Sequence, residues 1–200
     1  MMALPSQTYK LDNTGDLSMK RKILFVYGGS NSGKSEFAEN LACQEEGVRV
    51  YLATMDSTAD YNQATIARHR ENRKDKGFIT VECPYFLQEA VPKIKDLGQK
   101  KEGTGCTVLL ECLSNLLANQ MFATEVPDWQ HLQDNLESIL GIAEHCRKLI
   151  VVGNILSEEG KAYSPETVEY IRLLEKHQKE IAKLADEVYE VVAGIPCRVK

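Results

Sequence analysis

The chain reads as an α/β fold, a mostly parallel sheet flanked by helices with a short antiparallel strand at its C-terminal edge. Three observations predict this. From residue 22 onward, short β-rich apolar runs alternate with longer segments of mixed polarity, the pattern of strands joined by crossover helices. A glycine-rich octapeptide stands between the first run and the first longer segment, where a strand must turn into a helix. The last apolar run is followed by a Gly-Ile-Pro turn that sends the chain back beside it.

The expected strands, in order, are KILFVY (22–27), VRVYLAT (48–54), FITVEC (78–83), TVLLEC (107–112), KLIVVGN (148–154) and EVYEVVA (187–193), with GIPCRVK returning as the antiparallel edge. Helices fill the intervals. The one after Ser164 opens with Pro165 and Glu166, both favourable in a first turn, and carries apolar residues at Val168, Ile171, Leu174, Ile181 and Leu184. Gly47 and Gly77 stand where helix C-caps belong, and Gly98 to Gly105 reads as a surface loop. Residues 1–20 show no sustained periodicity and are expected to be a mobile extension, leaving 21–200 as a single domain. There is no internal repeat, low-complexity tract or interdomain linker.

Two hundred residues suffice for one α/β domain with a sizeable core. The net charge of −5 gives no long-range attraction to nucleic acid, so an anionic ligand has to be captured by a local cluster of donors. Nucleic acid is therefore not an expected partner. The six cysteines are scattered without a C-x-x-C pair and read as reduced thiols. No run of 18 apolar residues exists and the N-terminal stretch lacks the apolar core of a secretory signal, so no membrane segment is expected and the cytoplasm is the expected compartment.

The octapeptide is Gly28-Gly29-Ser30-Asn31-Ser32-Gly33-Lys34-Ser35, a match to G-x-x-x-x-G-K-[ST]. Its glycines let the loop curl so that successive N–H groups face phosphate oxygens, and the following helix adds its positive end. This makes the fold P-loop NTPase-like and a nucleoside triphosphate, ATP or GTP, the expected ligand. Lys34 is placed to reach the β- and γ-phosphates. Ser35 offers a hydroxyl to Mg²⁺, and Glu111, at the end of TVLLEC, is the candidate acidic partner of that ion because strand ends meet ligands at the carboxyl edge of such sheets. A solvated strand end is the alternative for Glu111.

After the second strand comes a cationic stretch, IARHRENRKDK, in which His69 and Arg73 lie four apart and so share a helical face. There an imidazole and a guanidinium can act together on phosphate, the histidine as nucleophile, base or electrostatic donor. The bland alternative is a solvated basic face with a structural histidine.

Taken together, GGSNSGKSEFAE, VYLAT, IARHRENR, FITVECP, LLECLSNLLANQMF and ADEVYEVVAGIPCRVK resemble the bifunctional adenosylcobinamide kinase / adenosylcobinamide-phosphate guanylyltransferase family of cobalamin biosynthesis, over most of residues 22–200. The resemblance implies phosphoryl transfer to the hydroxyl of adenosylcobinamide at the P-loop, and GMP transfer from GTP to adenosylcobinamide phosphate through a guanylyl-histidine. It makes His69 that histidine, with Lys34, Mg²⁺ and Arg73 steadying phosphate charge, and puts Glu82 in the guanine pocket. A strand-end acid in solvent is the alternative for Glu82. The resemblance also implies a homotrimer. The chain departs from the family's pattern at Thr65, where arginine is usual, at Phe78, where tryptophan is usual, and at Ile155, which replaces a carboxylate. Two other readings compete with this one. The first is a single-activity P-loop small-molecule kinase, and the second is a nucleotide-binding regulatory protein without chemistry.

Overall fold

The computed structural model describes residues 9–11, 17–19, 21–99, 105–123, 131–156 and 162–200. Strands β1 (Tyr9–Leu11) and β2 (Leu17–Met19) pair with each other, antiparallel, and with no strand of the main sheet. Most of the stretch expected to be an extension otherwise lies outside the described residues. The main sheet has seven strands: β3 (Lys22–Gly28), β4 (Val48–Ala53), β5 (Phe78–Glu82), β6 (Cys106–Glu111), β7 (Lys148–Asn154), β8 (Glu187–Val192) and β9 (Ile195–Arg198). Their order is β5-β4-β6-β7-β3-β8-β9, parallel throughout except for the β8–β9 hairpin. All six predicted strands and the antiparallel return are present.

Among the described residues, six α-helices accompany the sheet: α1 (Lys34–Cys43), α2 (Gln63–Arg73), α3 (Ala90–Gln99), α4 (Leu113–Phe122), α5 (His131–Glu144) and α6 (Pro165–Leu184). Alternate strand residues feed two cores. Leu24, Val26, Tyr51, Leu109, Ile150 and Val152 pack against Ala38 and Ala42 of α1. Phe25, Val50, Leu52, Val108, Leu110 and Val151 pack against residues of α3, α4, α5 and α6 on the other face. Burial on both faces is why the central strands read as unbroken apolar runs, and all six residues of β6 are buried. Truncating one of them, Leu110→Ala for example, removes a fully buried side chain of a kind worth about 2–5 kcal/mol.

The N-capping signal of α6 is realised in the structure, but the expected glycine C-caps are not: α1 ends on Gln44 and α2 on Lys74, three residues before Gly47 and Gly77. Ser164 caps α6, its hydroxyl accepting from the Thr167 N–H at 3.3 Å, with Pro165 in the first turn. Only the middle of the α6 stripe is buried, at Leu174 and Ile181, while Val168 and Leu184 face solvent. Gly47 and Gly77 take positive φ in the turns just beyond α1 and α2. Gly98 corrects an expectation: it lies inside α3, not in a loop. A side chain there would meet the His145 carbonyl oxygen at 2.8 Å, so close helix packing, not chain reversal, explains this glycine. Residues 100–104 lie outside the described residues.

The strand registers deliver the chemistry to one edge. Ala53 of β4 stands beside both Glu82 and Glu111, and Gly28 of β3 stands beside Asn154 and Val191. All four flanking residues therefore end at the carboxyl edge of the sheet, around the start of the phosphate loop.

Candidate nucleotide site at the carboxyl edge

The loop after β3 is held by backbone. Ser32 N–H donates to the Gly29 carbonyl at 3.3 Å, Phe37 N–H to the Gly33 carbonyl at 3.0 Å, and Gly194 N–H, from the β8–β9 turn, to the Ser32 carbonyl at 2.8 Å. Gly33 has φ of 90°, a left-handed conformation that favours glycine, and launches α1 directly. At Gly28 the demand is closeness, since a Cβ would sit 2.5 Å from the Val191 carbonyl oxygen. Asn31, at φ of 56°, is a residue type that tolerates that region.

This loop opens onto a cleft of about 760 Å³. Of the residues singled out from sequence, Ser30, Asn31, Ser32, Gly33, Lys34, Ser35, His69, Arg73, Glu82 and Glu111 all line it, while Gly28 and Gly29 sit behind and shape the loop. Lys34 is buried, and Nζ donates to the Gly29 carbonyl at 3.0 Å, which leaves two of its three N–H groups for a ligand. Burial holds its ammonium below the ordinary lysine value, against the opposing pull of Cys112 and Glu111.

Ser35 and Glu111 touch. The serine hydroxyl donates to Glu111 Oε1 at 2.5 Å, so the two groups proposed to share a metal already share a hydrogen bond. Burial pushes the Glu111 carboxyl up to about 7, offset by the Ser35 hydrogen bond and by the charges of Lys34 and Arg73. Its second oxygen, Oε2, is buried without a partner among the described residues. A buried carboxylate with a free oxygen beside a serine hydroxyl is the hard-oxygen donor set that Mg²⁺ prefers, so these residues fit the ion.

Arg73 is the one buried residue of α2. Its guanidinium carbon lies 3.4 Å from the centroid of the Tyr51 ring, a cation–π stack, and Nη1 is buried without a partner among the described residues. A cation fixed on an aromatic face with an unspent N–H is suited to an incoming phosphate. His69, half-buried one turn earlier, is shifted below the ordinary imidazole value by burial, then by Arg73 and Arg68. The neutral ring is therefore its prevailing form near pH 7. Glu82 ends β5 in the same cleft, where its carboxylate accepts from Ser57 Oγ at 2.8 Å and pairs with Arg70 at 2.9 Å.

Sequence reasoning missed several members. Tyr51 carries the Arg73 stack, Ser57 orients Glu82, and Asn154 lines the cleft while donating to Ser114 Oγ. A polar residue closing the apolar run KLIVVGN was the available signal for Asn154. Of the departures from the resembled pattern, Phe78 stacks edge-on against Tyr51 with ring centroids 6.1 Å apart, and Ile155 is 41% exposed.

Residues 24–199 match the family model described as cobinamide kinase / cobinamide phosphate guanyltransferase. The chain belongs to that family. Among curated relatives, it is 27% identical to the bifunctional adenosylcobalamin biosynthesis protein CobU of Salmonella typhimurium, over 89% of this chain and 99% of that one. It is 30% identical to the bifunctional adenosylcobalamin biosynthesis protein CobP of Pseudomonas aeruginosa, over 88% and 95%. A solved ATPase domain has the same fold, with a TM-score of 0.50 at 12% identity, covering 85% of this chain and 69% of that one. No helix among the described residues is long and apolar enough to cross a membrane.

Proposed function

We propose that this chain catalyses two reactions: phosphorylation of the adenosylcobinamide hydroxyl, and GMP transfer from GTP to adenosylcobinamide phosphate through a guanylyl-histidine at His69. The observation that carries the reading is a single cleft holding both a phosphate loop, with Lys34, Ser35 and Glu111, and a half-buried imidazole biased towards its neutral form.

In the first reaction the acceptor hydroxyl oxygen bonds to the γ-phosphorus, the bond to the β–γ bridging oxygen breaks, and the diphosphate leaves with that electron pair as the hydroxyl proton passes to solvent. The loop N–H groups and Lys34 hold the phosphates and meet the charge that develops on their oxygens. Ser35 and Glu111 would hold Mg²⁺, which would supply neutralisation of phosphate charge when bound.

In the second reaction the lone pair of a His69 ring nitrogen forms a bond to the α-phosphorus of GTP, and pyrophosphate departs with the electrons of the broken P–O bond. A phosphate oxygen of the acceptor then attacks the same phosphorus, and the P–N electron pair returns to the ring. Arg73, with Nη1 unspent and its guanidinium stacked on Tyr51, steadies the phosphate during both displacements. Glu82 accepts from the guanine N1–H and 2-amino group, with Ser57 and Arg70 orienting its carboxylate. A cytoplasmic homotrimer completes the reading.

The test is a two-stage assay on the purified protein. Adenosylcobinamide with ATP and Mg²⁺ should yield its phosphate, and that product with GTP should yield the GDP-linked corrinoid and pyrophosphate. Phosphorylation without the second product would reduce the protein to a kinase.

A further inference from the structure

A guanine nucleotide in this cleft has to span the sheet. Glu82, the carboxylate proposed to read the base, ends β5, while the phosphate loop follows β3, four places along in the order β5-β4-β6-β7-β3. At about 4.8 Å per strand these points lie about 19 Å apart, so the ribose falls between them, over the ends of β4 and β6. Ala53 holds that middle position, beside Glu82 on one side and Glu111 on the other, and it lines the cleft. An alanine leaves a sugar room and offers it no side-chain hydrogen bond.

The hydrogen-bonding group for that position comes from α4, which begins two residues after Glu111. Its contacts settle which way it faces: Asn119 Nδ2 donates to the Thr54 carbonyl at 2.8 Å and to the Pro84 carbonyl at 2.9 Å, just past the ends of β4 and β5. Asn115 stands one turn earlier on the same face, nearer Glu111, and lines the cleft. It is half-buried, and no hydrogen bond to a described residue occupies its side-chain amide. Ser57 and Asn154, by contrast, are already spent, on Glu82 and Ser114, and Asn72 of α2 and Thr80 of the edge strand β5 are exposed.

An asparagine amide presents an acceptor and a donor side by side, which matches a vicinal diol in which one hydroxyl donates and the other accepts. We propose that Asn115 reads the ribose of the guanine nucleotide, Oδ1 accepting from one of the 2′- and 3′-hydroxyls and Nδ2 donating to the other, so that the cleft selects ribonucleotides over deoxyribonucleotides. This role rests on the seating proposed above, with the base at Glu82 and the phosphates on the loop.

The test is titration calorimetry on the full-length protein with Mg²⁺ and the α,β-methylene analogues of GTP and 2′-deoxyGTP, which cannot release pyrophosphate. Wild type should bind the ribose form about tenfold more tightly, the effect of leaving one enclosed hydrogen-bonding group without its partner. Asn115→Leu, similar in size but unable to hydrogen-bond, should weaken the ribose form by about that factor and bind the two forms alike, with inorganic tripolyphosphate bound as by wild type. Equal wild-type affinities for the two forms, a comparison that needs no variant, would overturn the role. So would discrimination that survives in Asn115→Leu, or a variant of unchanged Tm that loses tripolyphosphate binding in parallel, which would make Asn115 a phosphate contact. A wild type that binds neither form would overturn the guanine seating together with this role. Failure of the two-reaction reading shows elsewhere, as a missing GMP adduct or missing corrinoid products with the wild type.

Discussion

The phosphate-loop wall of the cleft and the α2 wall face the same ligand space but differ in how they are held. On the first, α1 buries Lys34, Ala38, Glu39 and Ala42, and β6, which delivers Glu111, is buried along its whole length. On the second, α2 buries Arg73 alone, and the Arg70–Glu82 pair that ties it to β5 has side chains 59% and 45% exposed. A pair that exposed is worth about 0–1 kcal/mol. The groups proposed for phosphate capture are thus built into the core, whereas His69, proposed for covalent transfer, sits on a helix that only an exposed pair ties to Glu82 of β5. Substitutions on the first wall should therefore disturb both reactions and sometimes stability, and those on the second should disturb chemistry with little effect on folding.

The largest effect is expected from Lys34→Ala. It removes the cationic side chain of the loop proposed to meet the phosphates, and should reduce kcat/KM of both proposed reactions by about 10²–10³, the range seen when a preorganised donor to developing charge is lost. Turnover near wild type in either reaction would remove that reaction from the loop.

Glu111→Gln should separate function from stability on the same wall. Activity should fall and the magnesium requirement rise. Without metal or nucleotide, the folded carboxyl holds its proton to about pH 7, above the unfolded value of 4.5. The wild type therefore loses stability as pH climbs through that window, and glutamine, which cannot ionise, does not. The variant should be the more stable protein at pH 8 by about 1–3 kcal/mol, with the advantage fading towards pH 4.5. Urea unfolding in EDTA at the two pH values reads this directly, and a variant less stable at pH 8 would contradict the assignment of a burial-raised carboxyl to Glu111.

The smallest effect concerns the α2 wall. Because burial, Arg73 and Arg68 together depress the His69 value below 6.5, its nucleophilic neutral form persists into mildly acid solution. The rate of GMP transfer to the histidine should stay level above about pH 6.5 and fall only below it, where the ring takes up a proton. Arg68→Ala should move that break towards higher pH by a few tenths. A wild-type break above 6.5 would mean that the imidazole does not experience these cations.

Much of the buried wall was legible from sequence because its signals are local. Central strands covered on both faces must be continuous apolar runs, and a loop that curls around phosphate must have glycine where Gly28 and Gly33 lie. The carboxylate ending TVLLEC could be placed by the same logic. What remained hidden depends on residues distant in sequence. Arg73 of α2 stacks on Tyr51 of β4, Ser57 reaches Glu82 across 25 positions, and Gly194 of the β8–β9 turn bonds to Ser32 of the phosphate loop. Gly98 misled for the same reason, since its neighbour His145 comes from a different helix region altogether. Periodicity and motif describe one segment at a time, and these contacts exist only once the sheet has assembled.

The most direct measurement of the central claim is intact-protein and peptide mass spectrometry after incubation with GTP and Mg²⁺. The account predicts a single added GMP on His69, labile to acid and stable to alkali as a phosphoramidate is, absent from His69→Asn, while that variant still phosphorylates adenosylcobinamide and unfolds near the wild-type Tm. No adduct on the wild type, or an adduct on any residue other than His69, would contradict it.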